Sequence, residues 1–373
     1  MSTVRKLEQS DVREHDKVSS QAFVYSCDIN DKNSVLPSEI MLGAFLDDNR
    51  TLMADMEIGD RKCVYGDSVL RCAAVGGVAS KPEYRGKGAV KALFSELFNE
   101  DWDISILYPF SDAYYRKFGY ESVGKTLKIK LPFRELCGVN RVSGGTLFEG
   151  GNGSKLLEIY NGYAKKNNLC FIREDLSAYS DKPYESCQYT YFFDKSYVTF
   201  STSRQDSTVY VKEIIYLDRE ALEQAFGFLR NFEGNYDTLV FEKLPFNTPI
   251  VGYIADESKA ELICKSTGAA RIINFEKVLK AHRYPETAGG FIIEIQDNGT
   301  FEVKYENTKA DVVRADGKKP EVLMNINAAS KIILSGISSV EEAEYMHGIT
   351  IHNKSSDFFK AFPKNDGFLN DEF

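Results

Sequence analysis

Residues 69–98 read VLRCAAVGGVASKPEYRGKGAVKALFSELF. Val69–Ala79 is a nearly unbroken apolar run, the pattern of a strand buried on both faces. At the other end, Val90, Leu93, Phe94, Leu97 and Phe98 recur at i, i+3, i+4, i+7 and i+8, one apolar stripe of a helix. Between them stands the turn Arg85-Gly86-Lys87-Gly88-Ala89. The first amides of a helix lack intrahelical acceptors, and the helix dipole favours negative charge there. Glycines let the backbone come close to a ligand, and Arg85 and Lys87 add positive charge. Such a turn suits a pyrophosphate. It is neither the G-x-x-x-x-G-K-[ST] loop nor the G-x-G-x-x-G fingerprint. A plain solvated turn with basic residues would look much the same.

Reading outward, Ile40–Leu46 and Leu52–Ile58 flank Asp47-Asp48-Asn49-Arg50, a hairpin with Asx turn formers. After the helix come a short strand Ile104–Tyr108, a cap at Ser111-Asp112, a short helix AYYRKF stopped by Gly119, and a strand Tyr120–Leu131. Residues 141–154, RVSGGTLFEGGNGS, form the clearest linker, and KSTGA at 265–269 marks a second break. Three segments follow: 1–150, 151–267 and 268–373.

Composition excludes several classes. The chain has 373 residues, with 46 Lys+Arg against 55 Asp+Glu, a net charge of −9. A hydrophobic share of 43% is too high for disorder. No run reaches the roughly 18 apolar residues of a membrane span, and the start, MSTVRKLEQSDVREHDK, lacks the apolar stretch of a secretory signal. An acidic chain is a poor match for duplex nucleic acid, so neither nucleic acid nor membrane is expected as a partner. The seven cysteines are odd in number, widely spaced and without C-x-x-C. They predict a cytoplasmic protein whose cysteines are mostly buried small hydrophobes, with no disulfide framework. His15, His282, His347 and His352 form no ligand pair, and no metal is expected.

Residues 75–94, VGGVASKPEYRGKGAVKALF, followed by LYPFSDAYYRKFGYES at 107–122, resemble the acyl-CoA-binding core of the GNAT acetyltransferase superfamily. The R-x-x-G-x-[GA] signature appears as Arg85 and Gly88, and Val90 departs from its last position. A bulky residue there, and the LYPFS…YYRKFGYE segment, are similar to the Eis-like branch (enhanced intracellular survival). Residues 211–242 resemble that branch's degenerate second GNAT-like lobe. The stretches RIINFEKVLKAH, GFIIEIQDNGTFEVKYE and PEVLMNINAASKIILSGISS resemble its sterol-carrier-like last domain.

The resemblance implies an α+β fold: tandem GNAT folds plus a sterol-carrier-like domain at 268–373. It implies acetyl-CoA as co-substrate, with Val78, Ala79 and Ser80 along the pantetheine arm and Arg85, Gly86, Lys87, Gly88 and Ala89 at the pyrophosphate. It makes Tyr115 the general acid on the departing thiolate, with Tyr114 and Tyr120 as competitors. Tyr108 lines the pocket. The carboxylate of Phe373 becomes the base on the incoming amine, Glu372 faces the amine's charge, and Glu83 and Asp112 are weaker alternatives for the acidic roles. The acceptor is a primary amine, either an aminoglycoside-like polyamine or a protein lysine, and the family's assembly is a homo-hexamer. The competing class is a non-catalytic acyl-CoA- or lipid-binding regulatory protein.

Overall fold

The structure is a computed structural model that describes residues 3–38, 40–151 and 153–373. From the amino end, β1 (Thr3–Lys6) leads to α1 (Val12–Phe23), the meander β2 (Met41–Phe45), β3 (Leu52–Tyr65) and β4 (Ser68–Ser80), then α2 (Ala89–Leu97), β5 (Ile104–Leu107), the one-turn α3 (Asp112–Tyr115) and β6 (Glu121–Pro132). Next come β7 (Thr146–Leu147), α4 (Ser154–Ala164), α5 (Pro183–Ser186), β8 (Tyr189–Phe192), β9 (Ser196–Ser203), β10 (Thr208–Tyr216), α6 (Arg219–Leu229), β11 (Thr238–Pro245) and β12 (Glu261–Ile272). The remainder holds α7 (Phe275–Ala281), β13 (Gly289–Ile295), β14 (Gly299–Glu306), β15 (Lys309–Arg314), β16 (Val322–Met324), α8 (Ile326–Ser335), α9 (Val340–Glu344), β17 (Ile349–Ile351) and α10 (Phe358–Ala361). This is an α+β chain of mixed sheets flanked by helices.

The chain makes two compact units, each discontinuous in sequence. The first holds residues up to Val123, Gly268–Lys364 and Phe373; the second holds Gly124–Thr267 and Asn365–Glu372. In the first unit one sheet runs β1-β2-β3-β4-β5-β12. Its β4/β5 pair is parallel, and the carboxyl end of β12 pairs antiparallel with β5 from Ala269↔Leu107 to Ile272↔Ile104. The apolar run of β4 makes it a central strand, and the stripe of α2 docks Leu93, Phe94 and Leu97 onto it together with Trp102. Each such side chain contributes about 1.5–3 kcal/mol by leaving water. The opposite face carries α1, packed through Val18 onto Met41, Phe45, Leu52 and Ala79.

Residues 268–364 add a second sheet to this unit, ordered β15-β14-β13-β16-β17. They are joined to the first sheet's helices and strands by directed polar contacts. Asn327 donates to the carbonyls of Tyr120 and Arg116 at 2.9 and 3.1 Å, and Lys331 donates to Ser122 O at 2.5 Å. The Tyr65 hydroxyl lies 2.5 Å from the Ile333 carbonyl and 3.0 Å from His282 Nδ1.

In the second unit the order is β6-β11-β10-β9-β8-β7, with β10 and β11 parallel. The glycine-rich 141–154 stretch, in which Asn152 lies outside the described residues, carries β7 and belongs to this unit. The helix between the parallel strands, α6, starts differently from α2. The Asp218 side chain accepts from Ala221 N at 2.9 Å and so occupies one of the amides an anion would need. Among the seven cysteines, all free thiols, Cys27, Cys137, Cys187 and Cys264 are exposed. The expectation that most are buried therefore fails. No described helix is long and apolar enough to cross a membrane.

Candidate active site

The glycine pair in β4 breaks its register. Asp55 pairs with Ala79 and Glu57 with Gly76, so Gly77 and Val78 together oppose Met56. This is a bulge, and Gly77 takes φ +55°, which glycine adopts without a Cβ penalty. On the other side β4 follows β5 only to Val75↔Leu107 and then runs on to Ser80. Past that point, Val78, Ala79 and Ser80 pair with no strand on this edge of β4 among the described residues. An amide-bearing arm laid there finds the groups a neighbouring strand would offer.

Five residues on, the turn reaches α2. Gly86 and Gly88 have φ +77° and +84°, and a Cβ on either would have nothing within 4 Å. The amides of Gly86, Gly88, Ala89, Val90 and Lys91 find no acceptor among the described residues. Arg85 and Lys87 are exposed beside them, and Lys87 Nζ stands 4.9 Å from the Tyr84 ring. Open space, unsatisfied donors at a nine-residue helix and two cations fit a pyrophosphate.

Tyr115 packs edge-on against Phe94 of α2, with centroids 6.1 Å apart, and against Phe110 at 5.4 Å. Its ring is buried, yet its hydroxyl makes no hydrogen bond among the described residues and is not one of the sealed, unpartnered oxygens. Burial pushes the phenol up to about 12, helped by Tyr114. Tyr120, a competitor on sequence grounds, is already engaged. Its hydroxyl stands 2.6 Å from Ser105 Oγ, which donates to Ala73 O at 2.9 Å. Tyr114 is half-buried with its amide capped by Ser111 Oγ.

Phe373 falls in the first unit. Its ring lies 5.2 Å from that of Tyr108, and its main-chain carboxyl oxygen would be 3.5 Å from a Cβ on Gly76. Glu372 belongs to the second unit. There its charge and those of Asp371 and Glu213 oppose a burial that lowers the Lys243 ammonium. Glu83 and Asp112 are exposed. No group of three or more His, Cys, Asp or Glu among the described residues could hold a metal ion.

Sequence reading missed the residues that face the bulge from α1 and β3. His15 Nδ1 lies 2.9 Å from Asp55 Oδ2, both buried, and Glu57 stands two residues further along β3. The signal was available: a Gly-Gly step inside an apolar strand marks a bulge and a close approach.

Residues 3–123 match the family model described as Acetyltransferase (GNAT) domain. No curated protein sequence matches the chain. Among solved structures, the chain is similar to a conserved protein of unknown function, probable N-acyltransferase, from Enterococcus faecalis V583 (18% identity, TM-score 0.81). It is likewise similar to a GCN5-related N-acetyltransferase from Anabaena variabilis (19%, 0.81) and to Eis1 from Mycobacterium abscessus (18%, 0.80). In each case 100% of both chains is covered. At these identities the likeness speaks for the fold. Residues 3–123 thus carry a GNAT acetyltransferase domain, and the protein is an acyltransferase.

Proposed function

We propose that this protein transfers the acetyl group of acetyl-CoA directly to a primary amine, in the manner of the Eis-like branch. The observation that carries the reading is the bulged β4, released from β5 past Val75 and leading into an amide-lined glycine turn. In this reading Val78, Ala79 and Ser80 hold the pantetheine arm. Arg85, Gly86, Lys87, Gly88 and Ala89 hold the pyrophosphate. Acetyl-CoA supplies an activated thioester. The backbone donors along β4 orient and polarise its carbonyl. The Phe373 carboxylate takes a proton from the amine, positioned rather than strongly basic. Glu372 contributes negative charge to the acceptor's surroundings. Tyr108 lines the pocket with Phe373.

Tyr115 donates to the sulfur as the C–S bond breaks. A phenol near 12 is a weaker acid than a thiol of about 8.5. Transfer to the thiolate is therefore uphill on its own, and Tyr115 acts first as a hydrogen-bond donor that stabilises the charge developing on sulfur; its proton passes on only as the proton released by the amine, or one from solvent, replaces it. The same reading keeps the three-part organisation: 1–150 catalytic, 151–267 a GNAT-like lobe without CoA, and 268–373 a sterol-carrier-like domain. It also keeps a cytoplasmic homo-hexamer, with an aminoglycoside-like polyamine or a protein lysine as acceptor.

The test is CoA release across a panel of aminoglycosides, aliphatic diamines and lysine peptides, beside thermal unfolding with and without acetyl-CoA. Amine-dependent release and a melting temperature raised by acetyl-CoA are expected. Acetyl-CoA binding without turnover on any amine would replace catalysis with the regulatory alternative.

A further inference from the structure

The bulge has a second occupant that the mechanism above does not use. Glu57 is the cross-strand neighbour of Gly76, and its Oε1 lies 2.5 Å from where a Cβ on Gly77 would stand. The Phe373 carboxyl oxygen approaches the adjacent Gly76 at 3.5 Å by the same measure. Two carboxyl groups thus meet one two-residue step of β4, and the lack of side chains at Gly76 and Gly77 gives them room.

The charges around Glu57 come from three places. From α1, His15 pairs with Asp55 and Glu14 accepts from Lys81 Nζ at 2.7 Å, while Asp16 accepts from Ser34 Oγ at 3.0 Å. From β3 comes Asp55 itself, and from the end of β4 comes Lys81. Burial pulls the His15 imidazole down, but Asp55 beside it, through hydrogen bond and charge, raises it overall. His15 and Asp55 answer one another, as do Lys81 and Glu14. Glu57 is half-buried and has neither hydrogen bond nor ion pair among the described residues. Independently, fully buried Asp55 gives Oδ2 to His15 and leaves Oδ1 with no donor. Burial and the Asp55 charge raise the Glu57 carboxyl, and the charge of His15, itself paired with Asp55, only partly offsets them. Among the described residues neither Glu57 nor Asp55 Oδ1 receives an N–H donor, which is what an alkylammonium supplies.

We propose that Glu57 is the acceptor-binding residue of this enzyme: it seats the ammonium of a cationic amine against the β4 bulge, with His15–Asp55 as the buried pair that fixes its surroundings. The assignment rests on the amine-acetyltransferase reading and deepens it. Acceptors carrying a positive charge in addition to the reacting nitrogen are favoured, since one ammonium can stay on Glu57 while a second, neutral amine reacts.

The experiment compares wild type, Glu57→Gln and Glu57→Asp in steady-state CoA release. The acceptors are a diamine and a monoamine of equal length, and acetyl-CoA-dependent thermal shift verifies folding and co-substrate binding. Expected is a KM for the diamine raised about tenfold to a hundredfold in Glu57→Gln, the worth of one charge-assisted contact. kcat should stay within threefold, the acetyl-CoA shift should be unchanged, and Glu57→Asp should be partly restored. The wild-type preference for diamine over monoamine should collapse in Glu57→Gln. If wild type turns over but both Glu57 variants keep its KM and preference, the Glu57 assignment is wrong and the acetyltransferase reading survives. If wild type releases no CoA with any amine, the underlying reading falls and takes the assignment with it.

Discussion

The Phe373 carboxyl oxygen and Gly76 are neighbours: a Cβ placed on Gly76 would stand 3.5 Å from that oxygen. One residue on, a Cβ at Gly77 would meet Glu57 at 2.5 Å, on a backbone with φ +55°. The two glycines are therefore not equivalent. Gly76→Ala adds an ordinary van der Waals contact, and stability within about 0.5 kcal/mol of wild type is expected. Gly77→Ala must bear a left-handed backbone, about 1–2 kcal/mol, and must also move Glu57. Chemical denaturation should separate them in that order, and the amine KM should rise only in Gly77→Ala. Equal behaviour of the two variants would remove the bulge from the argument.

Tyr115 and Tyr120 give a second contrast. Tyr115→Phe keeps the ring that packs on Phe94 and removes a hydroxyl with no partner among the described residues. Stability should hardly change while kcat falls about a hundredfold or more, the scale of general-acid catalysis. Tyr120→Phe should do the reverse, losing about 1 kcal/mol with the Ser105 contact and little activity. Because burial lifts the Tyr115 phenol to about 12, it stays protonated through pH 10, and its ionisation should produce no alkaline loss of turnover below that pH. A kcat for Tyr115→Phe within twofold of wild type would end its role as acid.

Much of this was legible from residues 69–122. The buried run of β4, the stripe of α2 and the short strand before Tyr108 follow from period and composition, and they appear as Ser68–Ser80, Ala89–Leu97 and Ile104–Leu107. The rest depended on partners distant in sequence. VREHDKVSSQAF of α1 is too polar for a strong stripe; it is helical because His15 and Val18 bury against β3 and neighbouring core residues. Glu57 lies within the hairpin strand Leu52–Ile58 with nothing in its local sequence to mark it, and only the slipped register places it at the bulge. The return of β12 to β5 pairs residues more than 160 positions apart, which no local pattern encodes.

His282 should make the first unit sensitive to mild acid. It is enclosed by Tyr65, Tyr284 and Phe362, with Nε2 2.8 Å from Ala361 O, and burial lowers it to about 4. An unfolded histidine titrates near 6.5. Between those values the unfolded chain binds the extra proton, so stability rises with pH across the window and is lost as pH falls from about 6.5 towards 4. The full difference is on the order of 3 kcal/mol. Unfolding midpoints taken from pH 7 to 4 should show this slope, and His282→Gln should flatten it. An unchanged slope in that variant would mean that other groups carry the acid response.

The second unit should respond to a different substitution and a lower pH. Arg173 lies buried at 3.6 Å from the Tyr160 ring centroid, donates to Glu213 at 2.8 and 3.2 Å, and donates to Asp371 through Nε at 2.9 Å. Burial alone would raise the Glu213 carboxyl, but the Arg173 charge and hydrogen bonds, with Tyr197 and Asn370, hold it below its usual value. Arg173→Met should cost about 3–5 kcal/mol, because it leaves a buried carboxylate without its cation. Adding Glu213→Gln removes that charge and should recover more than half of the loss. Asp371→Asn, at a more exposed position, should cost less than Arg173→Met. The sign with pH is that of a depressed carboxylate: the stabilisation is present above about 4.3 and is lost as pH falls through the lower folded value. An acid transition beginning below pH 4 that survives His282→Gln but disappears in Arg173→Met/Glu213→Gln would assign it to this pair. If the double variant is no more stable than Arg173→Met alone, the cost lies in lost packing of the guanidinium on Tyr160 rather than in the stranded charge.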